Sequence, residues 1–188
     1  MGKQLGMLVL LILILMAQPV AAGNMQLGLG TAIGMDFPVV QEDQSQGMIF
    51  GFRGRVKLMK AVALEPNVHF TSFGEPKEKL IKDYIDGSKV TAYGVDATLG
   101  APFGAEGVKP YGLFGIGFYN SSQKTVDGDE VREPSTDLGW SAGFGVEAGV
   151  AQSVSLDFRA KLVVVSSEGG ASKKAASLIG GLNYYFGL

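Results

Sequence analysis

The chain has 188 residues, 16 of them basic and 18 acidic, with one histidine and no cysteine. That length suits one domain, the missing cysteines exclude disulfides and a cysteine-linked lipid anchor, and the near-neutral balance without a basic run excludes a nucleic-acid binder. The 28 glycines, about twice the usual frequency, disfavour a helical protein, and they lack the strict three-residue period of collagen.

In chain order, the first element stands outside the fold. Lys3 precedes an apolar run from Leu5 to Ala17, followed by Gln18, the breaker Pro19 and the small residues Val20, Ala21 and Ala22. This is the layout of a secretory signal peptide at 1–22, cut after Ala22, ahead of one domain at 23–188. The apolar run is too short for a membrane-spanning helix, which needs about 20 residues.

Strand candidates follow, each with a two-residue period. The first sets Leu27, Leu29, Thr31, Ile33 and Met35 against Gly28, Gly30, Ala32 and Gly34. The second sets Phe50, Phe52, Val56 and Leu58 against Gly51, Arg53, Arg55 and Lys57. In the third, Val62, Leu64, Val68 and Phe70 oppose Glu65, Asn67, His69 and Thr71. Pro66 falls on its apolar face and predicts a bulge or a missing ladder bond. The fourth opposes Tyr93, Val95 and Leu99 to Ala92, Gly94, Asp96 and Thr98. The fifth opposes Phe114, Ile116 and Phe118 to Gly115 and Gly117, but Tyr111, Leu113 and Tyr119 are also bulky and leave its facing open. The sixth sets Trp140, Phe144 and Val146 against Ser141, Gly143, Gly145 and Glu147. The seventh sets Leu156, Phe158 and Leu162 against Ser155, Asp157, Arg159 and Lys161. The eighth, ending in "LNYYFGL", sets Leu182, Tyr184, Phe186 and Leu188 against Asn183 and Tyr185.

Short and long connections alternate between these eight candidates. The breaks around Met59–Lys60, Pro102–Gly107 and Ala151–Ser153 are short. Those at Asp36–Gln46, Gly74–Ser88, Ser121–Asp137 and Ser166–Lys174 are longer and polar. In an up-and-down meander this collects the short turns at one end and four long loops at the other.

Alternation alone does not say which face meets solvent. Three features do. The non-bulky face carries glycines where a water-facing strand would carry Lys, Glu or Thr, and an eight-stranded barrel has an interior just wide enough for side chains to fill. The strand charges fall mainly on that same face, with Arg53, Arg55, Lys57, Arg159 and Lys161 near balance with Glu65, Asp96, Glu147 and Asp157. Strands of about ten residues with an apolar outer band match a transmembrane barrel. The fold class read from the residues is therefore an all-β, eight-stranded, antiparallel up-and-down transmembrane barrel.

The signal peptide, the alternating strands and the stretches "LEPNVHF", "KPYGLFGIGFY", "LGWSAGFGVEAGV" and "LNYYFGL" resemble the small outer-membrane β-barrel family, OmpA/OmpX-like. The resemblance covers essentially all of 23–188 and rests on order and spacing. It implies residence in the bacterial outer membrane, contact with its lipid, and recognition of the C-terminal strand by the barrel assembly machinery. Leu182, Tyr184 and Phe186 fit the family's alternating targeting signal, and Leu188 stands where an aromatic, most often Phe, is usual.

Candidate sites follow from the inward face. Arg53, Arg55, Lys57, Glu65, His69, Asp96, Glu147, Asp157, Arg159 and Lys161 form a lumen network, read as a structural plug of ion pairs in preference to an ion path. His69, Thr71 and Ser72 sketch a hydrolase constellation, but Ser72 lies on the opposite face from His69. The acidic stretch with Asp127, Asp129 and Glu130 lacks the spacing of a calcium loop and reads as a solvated loop. No cofactor, no metal and a monomer are expected. The expected role is structural or surface-interacting, through four extracellular loops of unassigned ligand and without catalysis. A small pore for ions or lipophilic solutes, a lipid A-modifying enzyme and a soluble periplasmic barrel stay open as alternatives.

Overall fold

The computed structural model describes residues 26–39, 44–59, 61–74, 87–100, 107–124, 130–166 and 172–186. The leader at 1–22, Asp127, Asp129 and Leu188 lie outside them. The described residues form eight strands: β1 (Leu27–Pro38), β2 (Gly47–Met59), β3 (Val62–Phe73), β4 (Lys89–Gly100), β5 (Val108–Lys124), β6 (Glu130–Ala151), β7 (Val154–Ser166) and β8 (Ser172–Phe186). Each pairs antiparallel with the next, and β8 returns to β1, so the sheet is a closed barrel. The seam runs from Leu27 opposite Phe186 to Pro38 opposite Ala175. Within it, the Leu182 backbone N–H donates to Thr31 Oγ1 at 3.3 Å.

The barrel is inside-out relative to a water-soluble protein. Among the described residues, 16 polar or charged side chains are buried against seven hydrophobic ones, while 27 large hydrophobic side chains are exposed. The exposed set forms an outer belt that includes Leu29, Ile33, Phe50, Phe114, Trp140, Phe158 and Leu182. Such a surface has no stable place in water, and its natural solvent is hydrocarbon.

The facing left open for β5 is settled by packing. Tyr111 and Leu113 are 4% and 5% exposed and point inward, with Phe114, Ile116 and Phe118 outward. Tyr111 has room because Gly145 lies directly opposite on β6, where a Cβ would collide with the phenol ring. Pro66 produces no bulge. The β2–β3 register is unbroken from Arg53 opposite Asn67 to Val56 opposite Leu64, with the ladder interrupted between those pairs. Gly54 leaves space there for the pyrrolidine ring, whose Cγ would lie 3.3 Å from a Cβ at that position.

The long connections all leave from one end of the barrel, as the meander requires, but the third is shorter than its polarity suggests. β5 and β6 extend to 17 and 22 residues, pairing as far as Lys124 opposite Glu130. Polarity marks where the strands leave lipid, not where pairing stops. Beyond the lipid both faces are wet, so alternation fades while the backbone ladder continues. Pro134, which has no N–H to contribute, falls where the register shifts between Ser121 and Gln123. The fourth connection is also shortened, since β8 already begins at Ser172.

Closure predicts a sharp dependence on the last seam residues. Deleting 186–188 removes the terminal Leu27–Phe186 pair and bares strand edge at the membrane boundary. The truncated protein is expected to lose the heat-modifiable folded band of the membrane fraction; a wild-type band would refute the role given to this end of the seam.

Candidate functional site

Inward residues come from every strand, because side chains alternate across the pleat. Through the middle and the short-turn end of the lumen they build a network of ions. Arg55 on β2 reaches Glu65 on β3 (Nε–Oε1, 2.7 Å) and Glu147 on β6 (Nη1–Oε2, 2.8 Å). The first contact is electrostatic, since that N–H is not aligned on the oxygen. Arg159 on β7 donates from Nη1 to Glu65 Oε2 at 2.8 Å. It also grips Asp157 with two N–H groups, Nε to Oδ1 at 2.9 Å and Nη2 to Oδ2 at 3.1 Å. Arg53 lies 3.4 Å from Asp157 and donates to Asn183 Oδ1 at 2.8 Å. Lys161 donates to Asp96 Oδ2 at 2.8 Å.

Four cations thus face four carboxylates, and all eight residues are buried. Most of these contacts cross the lumen between strands that are not neighbours in the sheet. Neutral side chains add further hydrogen bonds. Tyr111 donates to Asp157 at 2.7 Å, Tyr185 and Ser155 donate to Glu147, and Asn183 donates to Ser155 at 3.1 Å. The rings also stack under the cations: the Arg55 guanidinium lies 5.6 Å from the Tyr185 centroid, and that of Arg159 lies 5.5 Å from the Tyr111 centroid. A Cβ at Gly28 would come within 2.8 Å of the Tyr185 ring, so the small inward residue is what admits the large one.

Two residues of the sequence-designated set stand apart from this cluster. Lys57 is half-buried near the short-turn end, where Nζ donates to Gln26 Oε1 at 2.9 Å. His69 is half-buried and lines the wide upper lumen, away from the Arg159–Glu65 contact. Its neighbour Thr71 donates to Asp36 Oδ2 at 3.1 Å, and Ser72 is exposed on the outer face. The three therefore do not assemble into a hydrolase triad. On β8, Leu182, Tyr184 and Phe186 are exposed at 47%, 47% and 46% and belong to the outer belt.

Sequence reasoning did not designate Tyr111, Ser155, Asn183 or Tyr185 as site residues. A signal for the tyrosines existed. Each shares its strand face with inward residues, and each lies beside an inward glycine of the neighbouring strand.

The chain matches a family model described as "Outer membrane protein beta-barrel domain" over residues 7–186. No curated protein matches it. Among solved structures it is similar to Neisserial surface protein A, with 15% identity over 86% of this chain and 97% of that one and a TM-score of 0.65. It is similar to OprG from Pseudomonas aeruginosa, with 10% identity over 87% and 97% and a TM-score of 0.56. It is also similar to Ail of Yersinia pestis in complex with the heparin analogue sucrose octasulfate, with 16% identity over 87% and 100% and a TM-score of 0.52. At such identities the likeness is one of fold.

Removing one partner from a buried ion network strands the others. Glu65→Ala leaves the Arg55 and Arg159 guanidiniums facing each other without their shared carboxylate. A loss of about 3–5 kcal/mol is expected. Urea unfolding of the refolded barrel in lipid measures it, and an unchanged midpoint would count against the network as a stabilising element.

Proposed function

The chain belongs to the outer membrane protein beta-barrel domain family and resides in the bacterial outer membrane, and from that premise we propose that it is a structural, surface-interacting barrel without catalysis. The observation that carries this reading is the neutral ion cluster that fills the lumen at mid-height. A side chain held in several charge-assisted contacts is slow to swing aside for a passing solute. With the lumen blocked at mid-height, the parts available to other molecules are the loop end, including the lumen above the cluster, and the lipid-facing wall. Loops on a rigid scaffold are where specificity usually resides. The Ail complex with a heparin analogue is an instance of a similar fold holding a soluble ligand.

The outer belt makes outer-membrane lipid the constant partner. The exposed row of Leu182, Tyr184 and Phe186 on β8 is the surface we assign to the barrel assembly machinery, with Leu188 as the final residue of that signal. The protein acts as a monomer in this reading, because closure leaves no strand edge for a second copy to pair with.

Two measurements test the proposal. In planar bilayers the wild-type protein is expected to give no reproducible conductance steps, whereas regular steps would replace the plug with a pore. Cells expressing it are expected to keep an unaltered lipid A mass profile. A change that disappears in His69→Ala would establish catalysis instead.

A further inference from the structure

The ion cluster fills only part of the lumen. Between it and the long loops, the barrel encloses a cavity of about 670 Å³ that opens at the loop end. Its floor is the Asp96–Lys161 pair with Ser141 beside it. Its wall is in part apolar, with Ile49, Ala92, Val163, Val165 and Ile179 among its residues. These come mostly from places where the two-residue alternation gives way to a continuous apolar run, as in Met48-Ile49-Phe50, Leu162-Val163-Val164-Val165 and Leu178-Ile179. Lipid requires only the outward members of those runs. The inward members, beside Asp36 and above Lys161, make a half-greasy cup in an otherwise polar interior.

Two carboxylates line the same cup. Asp36 and Asp137 are only 9% and 8% exposed. Asp36 accepts from Thr71 Oγ1 at 3.1 Å and from Ser177 Oγ. Asp137 accepts from Ser135 Oγ at 3.2 Å. Hydroxyls orient and solvate a carboxylate but leave its charge in place. Among the described residues neither forms an ion pair, and the cluster beneath has no spare cation, because its four positive groups already meet four negative ones. Lys173 and Lys174 stand near the rim and also line the cavity. His69 lines it as well, and its ring makes no hydrogen bond among the described residues.

We propose that this cup binds a small organic cation, an ammonium group on an apolar body, taken from the outside of the cell. Asp36 and Asp137 are the carboxylates the cup offers to the ammonium, and Ile49, Ile179 and Val163 the apolar wall it offers to the body. An anion would meet two carboxylates that no cation pairs among the described residues, with Lys173 and Lys174 available to it only near the rim. A neutral apolar molecule would leave them unused. A bare metal ion would need several converging ligands, and among the described residues no group of three His, Cys, Asp or Glu side chains is placed to hold one. The inference goes beyond the surface role, since it assigns a ligand class to the lumen and not to the loops.

Three ring-matched probes separate these cases: benzylammonium, benzyl alcohol and benzoate, titrated into the full barrel in lipid nanodiscs and followed by amide NMR. Benzylammonium is expected to saturate, with shifts centred on Asp36, Ser177 and Ile179, and to bind at least about tenfold more tightly than the other two. Asp36→Asn and Asp137→Asn, each checked for the heat-modifiable folded band, are each expected to weaken benzylammonium by about tenfold and leave benzyl alcohol unchanged. Equal binding of all three probes, preference for benzoate, failure to saturate, or indifference to both substitutions would overturn the proposal. The Asp137 variant keeps the test decisive should the Asp36 variant fail to fold.

Discussion

In hydrocarbon an unpaired backbone N–H or C=O costs several kcal/mol, so a sheet that enters lipid has to close on itself. Here the whole arrangement descends from that requirement. Closure demands that β8 find β1, and the eight strands do so with a continuous register from Leu27–Phe186 to Pro38–Ala175. Where the ladder skips, at Thr31 and Ala32, a side chain steps in: Thr31 Oγ1 takes the Leu182 N–H. A hydroxyl on the greasy face is otherwise out of place, and its hydrogen bond at the seam explains it.

Closing eight strands creates a second constraint, the narrow interior. Large polar side chains fit only where a neighbour is small. Tyr111 lies against Gly145 and Tyr185 against Gly28, so these glycines are the negative image of the lumen's large side chains. Those tyrosines then support Asp157, Glu147 and the stacked guanidiniums. Burying so many charges would be ruinous without partners. The solution is collective, because Glu65 serves two arginines and Asp157 is shared between Arg53 and Arg159.

The lumen thereby divides into two environments. Below lies a dense neutral salt cluster with its hydrogen bonds largely internal. Above lies an open cup with apolar walls and two carboxylates held by hydroxyls. The boundary is Lys161, whose charge belongs to Asp96 below while its strand continues upward as Val163 and Val165. The mechanical half and the half that can receive a guest are thus built on the same strands, a few residues apart.

Much of this was legible in the linear chain. Period-two alternation sets the facing of most strands on local grounds, since adjacent side chains must point to opposite sides. Facing in turn decides the inside-out distribution and the eight-stranded closure, and it assigns Glu65, Asp96, Asp157 and Arg159 to the lumen. Local pattern failed where both neighbours were bulky, at Tyr111 and Leu113, because the choice there depends on the glycine across the ladder. It overdrew the third loop, because polarity reports water and not hydrogen bonding. It also could not say which cation meets which carboxylate. Arg55 and Glu147 are 92 residues apart, Arg159 and Glu65 are 94, and their meeting depends on strand stagger around a closed circle. Sequence alone determined which residues face inward wherever bulky and small residues alternate, because facing is there a property of neighbours along the chain. Only the tertiary structure decided the ion partners and the cup above them, because contact across a lumen is a property of the whole ring.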